Sequence, residues 1–197
     1  MAKEQYNDII LLNKELDHAK MVAVRSFLSA VSVYDVEGIK DGLISMDTFC
    51  CWRDFFLLAR KAKSICLDSR YFFARFWCEY GDTIRNEVGD DSVLISGLWK
   101  LLPSYHGRPR TLYRGCSMIS RKHRSYGPSW TSDLIVAKSY AINFHKMSGD
   151  PSVLIKTIAP PDAIVCEVSC YCESFEEDEF IVDRRRLHAV DVIDRFD

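Results

Sequence analysis

The stretch Glu176-Glu177-Asp178-Glu179-Phe180-Ile181-Val182-Asp183 carries four acidic side chains straight into an apolar, strand-like triplet. Residues two apart in an extended chain share a face. Glu177 and Glu179 are therefore expected to look into one pocket, with Asp178 turned away. Two carboxylates on one wall suit chemistry that develops positive charge, or a substrate that carries it. Taken alone, the run is also what a solvated sheet edge presents to discourage pairing.

Working outward, Phe180-Ile181-Val182 is one of several short β-type runs after residue 104, divided by Gly, Pro and Ser. The others are Thr111-Leu112-Tyr113, Val153 to Ile158, Ala163 to Val168 and Ala189 to Ile193. One helix interrupts them, roughly Ser132 to Lys146, with Ile135, Val136, Ala137, Tyr140 and Phe144 expected inward. Residues 4 to about 102 read as helical instead. Ile9, Leu12, Leu16, Ala19 and Ala23 recur at helical steps. Ser45 or Asp47 is the expected cap of a second helix bearing Phe49, Trp52, Phe56 and Ala59. A third helix lies within Ser69 to Glu87, its aromatics from Tyr71 to Trp77 expected as core. A fourth opens at Asp91 and ends at Pro103. Gly38, Gly42, Gly81 and Gly89 are the expected breaks. Helices first and strands afterwards indicate an α+β protein. The expected division is a helical lobe over residues 1–104 and a core over residues 105–197.

A chain of 197 residues with net charge −2 has the balance of an ordinary globular protein, without the footprint of a nucleic-acid binder. No apolar leader is visible at the N-terminus and no run is long enough to span a bilayer. The eight cysteines lack framework spacing and are expected to be mostly reduced, buried thiols of a cytoplasmic protein, acting in its own cell or a host's. Cys166, Cys170, Cys172 and His188 have poor spacing for zinc, so no metal is expected. Cys50 and Cys51 read as core filler. The basic clusters Arg121 to Arg124 and Arg184 to Arg186 read as solvated turns.

Three segments of the C-terminal half carry the chemistry. In Leu112-Tyr113-Arg114-Gly115 an arginine ends a strand and a glycine lets the backbone turn, aiming a guanidinium suited to phosphate. In Gly127-Pro128-Ser129-Trp130-Thr131-Ser132 the hydroxyls of Ser129 and Thr131 share a strand face, and Ser132 or Asp133 caps the next helix. The third is the acidic run.

In this order the three resemble the arginine/serine/glutamate clade of mono-ADP-ribosyltransferases, with its Arg, Ser-Thr-Ser and Glu-x-Glu motifs. The likeness covers about residues 105 to 197. It implies two small antiparallel sheets around a cleft for NAD as co-substrate, and transfer of ADP-ribose to a protein side chain, most naturally arginine. Carried over by position, Arg114 would hold NAD phosphates, Ser129 would orient Glu179, and Glu179 would stabilise the sugar cation. Glu177 would serve the acceptor. Tyr113, Gly115, Thr131 and Tyr140 would complete the NAD site, with Tyr171 and Phe175 on the loop that recognises the target. Where the family has Ser-Thr-Ser this chain has Ser129-Trp130-Thr131-Ser132. Taking Ser129 as the first serine keeps the following helix at the family spacing. The resemblance further implies a bacterial effector or toxin, or a phage enzyme; from the charge balance and the short apolar runs, no nucleic-acid or membrane partner is expected. It leaves an antitoxin or chaperone undefined. Rival readings are an NAD glycohydrolase on the same fold, a non-catalytic interaction module, and a modifier of nucleic acid.

Overall fold

Val24, Phe27 and Val31 recur at three- and four-residue steps and are buried together with Ala30, which fixes one face of α1 (Ala2–Val33). The computed structural model describes residues 2–172 and 177–197. Glu173, Ser174, Phe175 and Glu176 lie outside the described residues, as does the side chain of Ile9. The chain divides into two units, Met1–Arg70 with Asp82–Leu101, and Tyr71–Gly81 with Leu102–Asp197. The eleven residues 71–81 therefore belong with the C-terminal half, although the sequence places them in the helical lobe.

In the first unit, α1 is followed by α2 (Val36–Phe49), α3 (Trp52–Ala59), the two ends of α4 (Leu67–Val88) and α5 (Asp91–Leu101). Phe27 packs against Phe55 at 4.8 Å and Trp52 at 5.9 Å between ring centroids. Breaks fall where capping chemistry allows them, not where most of the glycines stand. Asp35 caps α2 by accepting from the Gly38 amide at 3.3 Å, and Cys50 ends it in the left-handed conformation at φ 48°. Ser45 and Asp47 lie within α2 and start nothing. Gly38, Gly42 and Gly81 sit inside helices because neighbours leave no room for a side chain. A Cβ at Gly38 would stand 2.9 Å from that of Ala30. Of the expected breaks only Gly89 is one, capping α4 at φ 63°. The expected stripe on α1 also fails, since Leu12 and Leu16 are exposed and the packed face begins at Val24.

In the second unit a single six-stranded antiparallel sheet runs in the order β4-β5-β2-β1-β3-β6. The strands are β1 (Arg110–Ser117), β2 (Ser129–Thr131), β3 (Ser152–Ala159), β4 (Ile164–Glu167), β5 (Glu179–Val182) and β6 (Asp191–Phe196). This corrects the expectation of two sheets. β1 pairs with β3 along its whole length and also meets β2 through Tyr113 and Thr131, so the two halves join. Val153, Leu154 and Ile155 are buried in succession, which requires cover on both faces of β3. Leu112, Trp130, Ile155, Phe180 and Val182 belong to the cluster on one side.

Helix α7 (Leu134–Ser148) packs on β1 and β3, and α6 (Met118–Lys122) is a short turn after β1. At Gly115 a Cβ would stand 2.6 Å from the Ala137 carbonyl oxygen and closer still to the Ala141 amide. The glycine therefore serves close packing of α7, not a turn of the chain. Only alanines fit this approach. Ala137 and Ala141 are buried, whereas Ile135, Tyr140 and Phe144, expected inward, are exposed.

Asp183 is buried and takes two hydrogen bonds from the Arg185 guanidinium at 2.8 Å, with Arg186 at 3.7 Å. Arg184 donates to the Tyr126 carbonyl at 3.2 Å, and Arg121 to that of Val190 at 2.7 Å. Arg121, Arg184 and the Asp183 pairs thus hold internal polar groups, while Lys122, His123 and Arg124 are exposed, as expected of a solvated turn. Six of the eight cysteines are free thiols, as expected, but two are not. Cys78 and Cys172 form a disulfide. Cys51, Cys116 and Cys166 are buried thiols, while Cys50 and Cys170 are exposed. Burial pushes the Cys51 thiol up to about 11. No helix among the described residues is long and apolar enough to cross a membrane.

Candidate active site

Strand β5 opens at Glu179, which pairs with Thr131 of β2, and Ser129 pairs with Ile181 two residues on. Alternation puts Ser129, Thr131 and Glu179 on one face and turns Trp130 and Phe180 into the core. The Glu179 carboxyl is gripped from two sides. Ser129 hydrogen-bonds to it, and the indole Nε1 of Trp77 donates to Oε1 at 3.2 Å. Arg114 is near enough to act on it electrostatically. Burial pushes this carboxyl above the usual glutamate range. The hydrogen bonds from Ser129 and Trp77 pull it back, Glu177 raises it further, and the Arg114 charge lowers it.

Arg114 is half-buried on β1, and its Nη1 donates to the Ser129 carbonyl. The guanidinium thus fixes the backbone of the serine that holds Glu179. Tyr113, its neighbour, pairs with Thr131.

The segment ahead of β5 is tied to the end of β2. Thr131 Oγ1 donates to the Glu177 carbonyl at 2.6 Å and accepts from the Asp133 amide at 2.9 Å. Ser132 donates from its amide to the Asp178 carbonyl at 3.3 Å and from Oγ to the Asp178 carboxylate at 3.1 Å. Asp133, not Ser132, caps α7, accepting from the Ile135 amide at 2.6 Å and that of Val136 at 3.2 Å. Every hydroxyl of Ser129-Trp130-Thr131-Ser132 therefore bonds into the acidic run, and the tryptophan goes inward beside Tyr126 at 5.6 Å.

The two glutamates do not share one wall. Asp178 is left-handed at φ 43°, which breaks the pleat before β5 begins, so two-residue alternation does not extend back to Glu177. Glu177 turns to α7 instead, where Tyr140 Oη lies 2.8 and 3.0 Å from its carboxylate oxygens. It lines a hollow with Ile135, Val136, Ser139, Tyr140 and Asn143, and Glu179 is not part of that lining.

Of the residues assigned to an NAD site, Ser129, Glu179 and Arg114 come together. Gly115 serves helix packing, Thr131 ties the Glu177 carbonyl to the Asp133 amide, and Tyr140 is engaged with Glu177. Tyr171 stacks on Tyr71 at 5.3 Å between ring centroids, and burial raises its phenol above the ordinary range. It is packed against Tyr71 of α4 and is half-buried. Phe175 lies outside the described residues. Among the described residues no group of His, Cys, Asp or Glu is arranged to hold a metal ion.

Trp77 is the site residue that the sequence reading missed, having been taken for core. Two signals bear on it. A buried indole N–H needs an acceptor, and Gly81 one turn later leaves room for the ring, since a Cβ there would stand 2.7 Å from Trp77 Cε2. Comparison with protein-family models, curated proteins and solved structures finds no match to this chain.

Proposed function

We propose that the protein is a mono-ADP-ribosyltransferase that uses NAD as co-substrate and modifies a protein side chain, most naturally arginine. The observation that carries this reading is the Glu179 carboxyl, held by Ser129 and Trp77 beside Arg114. A carboxylate fixed from two sides is organised in advance to meet positive charge, the charge that develops on a ribose carbon as its bond to a cationic base breaks. The donor set fits a dinucleotide in kind, with a guanidinium for the diphosphate and an acid for the sugar.

NAD supplies a glycosidic carbon whose leaving group, nicotinamide, is already cationic and needs no proton. The C–N bond breaks with its electron pair leaving on nicotinamide, and an acceptor nitrogen uses its own pair to form the new bond. The proton lost by that nitrogen passes to Glu177 and then to water. Glu179 must be ionised throughout, Arg114 holds the anionic portion, and Glu177 orients the acceptor.

Incubation of labelled NAD with a cell lysate tests this. Wild type is expected to label a protein band, Glu179→Ala to lose both labelling and nicotinamide release, and Glu177→Gln to lose labelling but keep release. Free ADP-ribose without a band would assign the site to hydrolysis. Neither product would leave an interaction module as the account. Loss of release in Glu177→Gln as complete as in Glu179→Ala would refute the division of labour.

A further inference from the structure

We infer that Cys78 and Cys172 form a redox site, whose disulfide clamps Trp77 on Glu179 until a dithiol from outside the chain reduces it. The effect on catalysis rests on the transferase reading above, but the clamp itself does not. Cys78 follows Trp77 directly in α4, and Cys172 precedes Glu177 by five residues. The bridge therefore ties the helical turn that bears the indole to the chain that leads into β5. Tyr71 and Cys78 are seven residues apart, two turns of helix, and so lie on one side of α4. Their partners, Tyr171 and Cys172, are adjacent. Stack and bridge together seat one short segment along α4, while Trp77 donates to Glu179 at 3.2 Å.

The placement favours a switch over a general staple. Six of the eight cysteines are free thiols, and Cys50 and Cys170 among them are exposed. A chain stapled throughout by disulfides would pair the thiols it exposes. This chain pairs only the two that flank its candidate site.

Both bridged cysteines are half-buried, within reach of a small thiol. Attack from inside the chain is disfavoured. Cys170 is exposed, but desolvation and the Glu167 carboxylate hold its thiol above the ordinary range, which keeps it protonated near neutral pH. The electrons therefore come from a dithiol in solution. One of its thiolates displaces a cysteine sulfur to form a mixed disulfide, and its second thiol then displaces the first. Two electrons and two protons pass to the cysteine pair, and the reductant leaves as a cyclic disulfide. The reduced pair has an acceptor in place. Cys78 Sγ lies 3.4 Å and Cys172 Sγ 3.9 Å from the Ala74 carbonyl oxygen, which accepts once either sulfur carries a proton. Reduction thus releases the tie without stranding the thiols, and oxidation can restore it.

Exchange of the indole N–H groups with solvent, followed by NMR with and without dithiothreitol, tests the clamp without NAD. The chain has four tryptophans, and Trp77→Phe assigns the signal of Trp77. Trp77 is buried, so its exchange should be slow in the oxidised protein. Reduction is expected to speed it by about tenfold or more, with the buried Trp52 and Trp130 little changed. Reoxidation should return the slow rate. The double variant Cys78→Ser with Cys172→Ser should exchange fast with or without reductant, and Cys170→Ser should respond as wild type does. Unchanged exchange at Trp77 on reduction would overturn the inference. Equal acceleration at all the indoles would also overturn it, since the bridge would then stabilise the whole fold and not the site. Nicotinamide release, measured on the same samples, is expected to fall roughly tenfold on reduction, the loss of one hydrogen bond to a charged group. Constant release despite a loosened Trp77 would refute the effect on catalysis and leave the clamp. No release in either state would refute the transferase reading, with the clamp decided by exchange alone.

Discussion

The surroundings of Glu179 disfavour its charged form. Its carboxyl is raised in the folded protein, so the neutral form is the one that folding favours. That contribution to stability is fully present below the unfolded glutamate value and is lost as pH rises through the folded one. Glu179→Gln should therefore melt at a higher temperature than wild type near neutral pH. The gap should close as pH falls below the ordinary value of 4.5, as thermal scans across pH would show. A gap of the same size at every pH would assign the effect to packing. Trp77 acts on the same group in the opposite sense, its indole donating to the carboxyl. Trp77→Phe should weaken the ionised form and lower activity near neutral pH by roughly tenfold, the loss of one hydrogen bond to a charged group. A shift of the acid limb of the rate profile to higher pH would separate this role from simple packing.

Elements decide which residues meet. The close approach of α7 to β1 depends on Gly115, and it carries Tyr140 to Glu177. Gly115→Ala should cost about 3 kcal/mol or abolish folding, because backbone atoms of α7 stand where the methyl must go. Denaturant melts would measure it, and a loss under 1 kcal/mol, roughly the level of an ordinary surface change, would contradict the packing argument. Much of this was legible beforehand. The runs Thr111-Leu112-Tyr113, Val153 to Ile158 and Phe180-Ile181-Val182 all fall within strands, because branched and aromatic runs between turn residues carry a local signal. The inward face of α7 was legible only in part: Ala137 is buried and Val136 half-buried as expected, but Ile135, Tyr140 and Phe144 are exposed. Its apolar residues are mostly outside, and alanines are inside because a glycine on another element permits close contact. Likewise the left-handed Asp178 is set by ties from Ser132, and alternation cannot foresee it.

At the scale of the molecule, the candidate site draws on sequence-distant parts of one unit: residues 71–81 of α4, β1, β2 and β5. Ser129, Arg114 and Glu179 could be picked out by residue type and order, since each bears a functional group suited to the chemistry. Trp77 is 102 residues from its partner in sequence and resembles any core aromatic until the sheet is formed. The Cys78–Cys172 disulfide has the same character, joining α4 next to Trp77 with the chain that leads toward Glu177. Peptide mapping of protein purified without reductant should recover these two cysteines linked and the other six alkylated. Recovery of all eight as free thiols would contradict the pairing. The most direct test of the whole account is the rate of nicotinamide release from NAD by wild type and Glu179→Gln, followed from acid to neutral pH. The account predicts release by wild type that fades as pH falls through a value above the ordinary glutamate range, and loss of at least about a hundredfold in the variant. Equal release by the two proteins, or none from wild type at any pH, would contradict it.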